Sequence, residues 1–265
     1  MRKDSFDLIK YTSSGLHCEL ADVWIDPNKP VKRAIITHAH MDHFTFGCDE
    51  YISTYETAVI LKERIGKEIN IKTYDYEKEF KINGIKISFH PSGHILGSSQ
   101  IRFSLAEEIW LITGDFKRQK DETCKKYEIV KTDYIISEST FGLPIFKWDE
   151  SQKTATDITK WINSSQEKTS ILFCYSLGKA QRLLNEISKT NFTNNIYTHS
   201  SIYRMNNCYK KLGIEIIDTK EFEKNKNNKD LKGSLILLPP SLNKSSSLKN
   251  FKDIQTGFAS GWMSI

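Results

Sequence analysis

His38-Ala39-His40-Met41-Asp42-His43 places three imidazoles and a carboxylate within six residues. These are borderline donors suited to zinc, and so dense a run after an apolar strand carries a small false-positive risk. Side chains on both sides of one tight loop can serve two ions as well as one. His94 stands in Gly93-His94-Ile95-Leu96-Gly97-Ser98, Asp115 in Thr113-Gly114-Asp115, and Asp26 before Pro27. Alone, each fits a structural histidine or a turn residue. After the first motif, a third histidine and a bridging carboxylate are also what a two-metal centre still requires. Elsewhere, Gly178-Lys179-Ala180-Gln181-Arg182 opens a helical pattern after an apolar stretch. A helix N-terminus flanked by Lys179 and Arg182 is a natural phosphate seat, and the same residues also fit an ordinary helix start. His199, in Tyr197-Thr198-His199-Ser200, reads as structural or substrate-facing.

Short strands must position these groups. Val23-Trp24-Ile25 ends at Asp26, Ala34-Ile35-Ile36 at Thr37-His38, and Ile85 to Phe89 runs toward Gly93-His94. Trp110-Leu111-Ile112 ends at Thr113-Gly114-Asp115, and Tyr134-Ile135-Ile136 at Ser137-Glu138. Each apolar run delivers a polar residue at its C-terminal end, where α/β and sandwich enzymes place their chemistry. The second half alternates strand and helix: helices over 155–163, 178–189 and 202–212, strands over 170–175, 196–198, 214–217 and 235–238, and an exposed loop over 219–233. This alternation predicts a parallel, doubly wound sheet. A domain change is expected near residues 144–150.

The chain has 265 residues, enough for one large domain or two ordinary ones. No run of 18 apolar residues exists, and Met1 to Asp7 lacks the apolar core of a signal peptide, so a soluble cytoplasmic protein with no membrane partner is expected. The five cysteines are widely spaced with no C-x-x-C, which suggests neither a disulfide framework nor a cysteine zinc site. Residues 1–145 carry 20 basic and 22 acidic side chains, and residues 146–265 carry 18 and 11, a balance of +7. A basic second half fits a grip on a polyanion, or simply a lysine-rich solvated surface. It disfavours a small-molecule hydrolase.

These motifs resemble those of the metallo-β-lactamase fold nucleases, most closely the β-CASP branch and, within it, the bacterial ligase-associated DNA exonucleases. The matching stretches are Gly15 to Glu19, Ile25 to Pro27, Ile36 to His43, Ser92 to Ser98, Thr113 to Lys117, Ser137 to Pro144, Leu172 to Arg182 and Phe258 to Met263. The resemblance implies an α/β fold: a metallo-β-lactamase αββα sandwich with an inserted β-CASP-like doubly wound α/β cap. It places the sandwich in 1–145, the cap in 146–255, and a truncated return into the sandwich in 256–265. It implies that His38, His40 and His94 hold a first zinc, that Asp42 and His43 hold a second, and that Asp115 bridges them. Asp26 would orient the histidine loop, and Glu138 would hydrogen-bond a ligand histidine, with a turn role as its alternative. Asp42, Asp115 and Glu138 would carry catalysis.

Relatives continue past Gly-Trp-Met with a Ser-x-His-Ala-Asp segment and a later histidine, which assist the leaving group and complete the second zinc site. A complete site would therefore hold two zinc ions, with the second short of a ligand in this chain, which reads as interrupted. The implied function is a zinc-dependent nuclease, a DNA exonuclease in repair alongside an ATP-dependent DNA ligase and a helicase. The alternatives are an RNA-processing nuclease of the same fold and a catalytically impaired metal- and nucleic-acid-binding fragment. DNA is the favoured nucleic acid.

Overall fold

A computed structural model describes residues 7–66, 68–223, 231–243 and 253–261. The chain divides into two compact units between Ser139 and Thr140.

The first unit carries two sheets. One runs in chain order through β1 (Lys10–Thr12), β2 (Gly15–Cys18), β3 (Val23–Ile25), β4 (Arg33–Ile35), β5 (Glu50–Ser53) and β6 (Ile71–Thr73). Its first three strands pair antiparallel and β3 to β6 pair parallel. The other has the order β11-β10-β9-β8-β7, from β7 (Phe80–Ile82), β8 (Ile85–Pro91), β9 (Ser99–Leu105), β10 (Glu108–Ile112) and β11 (Tyr134–Ile136). Alternation along β8 sends Ile85, Ile87 and Phe89 to one face, as a period of two requires. These join Ile101, Phe103, Trp110 and Ile112 of the same sheet and Val23, Ile25, Ile35 and Ile52 of the first in one apolar core. The two sheets thus share a core as a sandwich. Helix α1 (Tyr55–Ile65) is capped by the Thr54 hydroxyl, which accepts from Thr57 N, and ends at Gly66.

The second unit is built on one sheet of order β14-β13-β15-β12-β16. Its strands are β12 (Thr169–Phe173), β13 (Ile196–Thr198), β14 (Lys220–Glu221), β15 (Leu235–Leu238) and β16 (Ile254–Phe258), and every pairing is parallel. The central strand β15 is buried along its whole length, as a near-continuous apolar run in a parallel sheet should be. Helix α2 (Ser151–Asn163) precedes β12, α3 (Lys179–Ile187) connects β12 to β13, and α4 (Ser200–Lys211) follows β13. Residues 256–258 belong to β16 beside β12, and Trp262 to Ile265 lie outside the described residues.

One expected strand is corrected. Residues 214–217 pair with no neighbour, and the strand forms later, at Lys220–Glu221. The Glu215 carbonyl accepts from the Asn185 side chain at 3.0 Å, so a side chain takes the place of a ladder. Part of the expected loop 219–233 is therefore this short strand, and residues 224–230 lie outside the described residues.

Candidate metal centre

The first sheet delivers Asp26 just past β3 and His38, His40 and His43 past β4. The second delivers His94 past β8, Asp115 past β10 and Glu138 past β11. Strand ends from both sheets thus meet at one rim of the sandwich.

His38, His40, His94 and Asp115 each turn one donor atom into a space where all lie within 4.8 Å of one another. His38 Nε2 lies 3.0 Å from His40 Nδ1, and His94 Nε2 lies 3.2 Å from the same atom. Asp115 faces two ways. Its Oδ2 lies 3.7 Å from His94 Nε2, and its Oδ1 lies 3.4 Å from His43 Nε2. His43 Nε2 in turn lies 3.9 Å from Asp42 Oδ2. Two donor groups therefore sit side by side, joined through the one carboxylate of Asp115.

Asp26 and Thr37 set the proton positions. Asp26 Oδ1 accepts from Thr37 N at 2.8 Å, and its Oδ2 accepts from Thr37 Oγ1 at 2.5 Å and from His43 Nδ1 at 2.7 Å. The single Thr37 hydroxyl proton goes to that carboxylate, so the contact of 3.0 Å between Thr37 Oγ1 and His38 Nδ1 needs the proton on the ring. His38 Nε2 and His43 Nε2 are then left to face the donor groups.

Burial, followed by repulsion from His43, His40 and His94, lowers the His38 pKa well below the usual histidine value, so its ring is neutral. Burial also opposes charge on His43, but the hydrogen bond to Asp26 and the charges of Asp26, Asp115 and Asp42 outweigh it and raise its pKa to about 9. Burial lifts the Asp115 carboxyl. His43 opposes the shift, while Glu138, Asp42 and Asp26 reinforce it by repulsion. Imidazole nitrogens converging beside crowded carboxylates are a donor set that a divalent cation fits.

His17 stacks on Trp24 with ring centroids 3.8 Å apart. In the second unit, Lys179 is the first residue of α3, and Arg182 donates to Ser151 Oγ at the start of α2. His199 caps α4, its Nδ1 accepting from Ser201 N at 3.2 Å. All five cysteines are free thiols. Thr37 was not singled out by its type; only its contacts to both Asp26 and His38 reveal it.

No family model matches the chain. A protein of Opitutus terrae described as a probable DNA ligase is 27% identical over 254 residues, covering 94% of this chain and 24% of that protein. Cleavage and polyadenylation specificity factor 73 of Drosophila melanogaster is 27% identical over 190 residues, covering 68% of this chain and 28% of that protein. Endoribonuclease YSH1 of Kluyveromyces lactis is 31% identical over 118 residues, covering 43% and 15%. The chain is similar in sequence to these three proteins. It spans between 15% and 28% of the length of these relatives. The relatives agree with the resemblance carried by the motifs. No helix among the described residues is long and apolar enough to cross a membrane.

Proposed function

We propose that the chain is the metal-dependent nuclease portion of a DNA-processing protein, acting as an exonuclease beside an ATP-dependent DNA ligase. The observation that carries this is the paired donor set with Asp115 facing both halves. His38, His40 and His94 would hold one zinc and Asp42 and His43 the other, with Asp115 as the carboxylate available to both. When bound, such a pair generates hydroxide near neutral pH and neutralises charge on a transferring phosphoryl group. Asp26 holds His43 by Nδ1 and, through Thr37, His38 by Nδ1, so both rings present the nitrogen that ligation needs. Glu138 adds negative potential beside Asp115. The parallel-sheet unit serves as the cap, its basic residues gripping the substrate backbone, with Lys179 at a helix N-terminus as one contact.

DNA is favoured because the match to the probable DNA ligase extends over 94% of the chain, against 68% and 43% for the two RNA-processing relatives. An RNA nuclease is the second reading, favoured by the higher identity, 31%, of the endoribonuclease over its shorter match.

Labelled single-stranded DNA, duplex DNA and RNA incubated with the zinc-loaded chain test both readings. Stepwise shortening of DNA, abolished in Asp115→Asn, is expected. Internal cleavage of RNA with DNA untouched would replace the first reading by the second, and a fully active Asp115→Asn would refute both.

A further inference from the structure

The two histidine loops come from different sheets. His38 and His40 follow β4 of the first sheet, and His94 follows β8 of the second. Among the described residues no strand ladder links these sheets, so the 3.2 Å spacing of His40 Nδ1 and His94 Nε2 must be fixed by something else. One tie is local: Ser99 N and Ser99 Oγ both donate to the Thr37 carbonyl, at 2.9 and 3.2 Å.

Helix α1 supplies another. At its N-terminal end, Thr54 Oγ1 and Thr57 Oγ1 both donate to the carbonyl of Gly97 in the His94 loop, at 2.7 and 2.9 Å. At its C-terminal end, Arg64 Nη1 donates to the carbonyl of Ala39, between His38 and His40, at 2.7 Å. Thr57, Leu61 and Arg64 are spaced i, i+4, i+7 and so lie along one stripe of the helix. Thr57 and Leu61 on that stripe are buried, which seats the helix between the two grips. The fit at Gly97 is close: a Cβ there would lie 2.5 Å from Thr57 N.

We infer that α1 is a two-ended clamp that sets the distance between the two histidine loops, with Thr57 and Arg64 as positioning residues for the metal centre. This rests on reading the histidine cluster as a metal site. Neither side chain contributes a donor atom to the cluster; each acts by holding the backbone next to a residue that does. Loss of either grip therefore widens the donor set without removing a ligand, and partners of this kind are typically worth ~10-fold to ~100-fold in metal affinity. The Ser99 tie remains in such variants, and Thr54 Oγ1 still donates to the Gly97 carbonyl in Thr57→Val, so the lower end of that range applies.

Cobalt(II) titrated into the 265-residue chain tests this, with affinity and visible absorption as readouts. Thr57→Val and Arg64→Met keep side-chain bulk and lose the donor. Each is expected to weaken cobalt binding ~10-fold and to alter the absorption band, with Thr57→Ser and Arg64→Lys recovering most of the loss. Unchanged cobalt affinity and spectrum in both variants, whatever happens to their melting temperature, would overturn the clamp. If the parent chain takes up no cobalt, the metal reading fails. The clamp is then decided by hydrogen exchange in the metal-free proteins. Faster exchange at residues 92–99 in Thr57→Val and at 37–43 in Arg64→Met supports it, and unchanged exchange refutes it.

Discussion

Asp26→Asn is the most informative single change at the centre because it reverses a chain of protons with little change in shape. With its oxygen kept for Thr37 N, the new amide nitrogen faces Thr37 Oγ1 and His43 Nδ1, where Asp26 Oδ2 accepts at 2.5 and 2.7 Å. The amide can only donate there. Thr37 must turn its proton to His38 Nδ1, and the protons of His38 and His43 must move to Nε2, the atoms that face the donor groups. The metal-free protein feels a second effect. His43 titrates at about 9 against an ordinary 6.5, and that difference corresponds to about 3 kcal/mol of preference for the protonated ring. A raised folded-state pKa contributes stability that is complete below 6.5 and is lost as pH rises through 9. Asp26 is the leading cause of the rise, and Asp115 and Asp42 supply the remainder. Urea unfolding in chelator should therefore show Asp26→Asn less stable than the parent by about 2–3 kcal/mol at pH 6, with the gap mostly closed at pH 9.5. Zinc affinity should fall at least ~10-fold. A stability loss equal at both pH values would show that Asp26 does not hold a charged His43, and unchanged zinc affinity would refute the proton relay.

Gly97→Ala places a Cβ 2.5 Å from Thr57 N at a backbone φ of +83°, so a loss of about 3 kcal/mol is expected by thermal or urea unfolding. Asp121 is buried against Lys117 and accepts from Thr123; these contacts overcome the cost of burial and lower its carboxyl pKa. That stability is present above the ordinary carboxylate range and disappears as pH falls through the lowered value. Asp121→Asn should thus cost about 3 kcal/mol at pH 7 and progressively less below pH 4, read from unfolding curves across that range. His17→Ala should leave zinc affinity within about twofold of the parent, because the ring stacks on Trp24 outside the donor groups, and an isothermal titration would check it.

Much of the centre was legible because its residues share a positional habit. His38, His94, Asp115 and Glu138 each follow an apolar run, and the structure places each just past a strand of the sandwich. The parallel sheet of the second unit was legible from the alternation of its elements, and the buried run Leu235–Leu238 is its centre. Ile214 to Ile217 misled because an apolar run signals burial, not pairing; Ile216 is buried although the segment joins no sheet. The clamp residues were not legible at all. Thr57 and Arg64 act on backbone carbonyls 40 and 25 residues away in sequence, and a carbonyl leaves no mark in the choice of side chain. Thr37 stood in plain view beside His38, but its role follows only from having Asp26 and His38 on the same oxygen.

The central claim is that His38, His40, His94 and Asp115 form a metal centre. Zinc content per chain after loading and exhaustive dialysis tests it most directly, on the parent and on His40→Ala, the residue whose Nδ1 lies nearest both other histidines. The account requires about one tightly held zinc in the parent and its loss in a folded His40→Ala protein. A parent chain that retains no zinc, or a His40→Ala chain that retains as much as the parent, would contradict it.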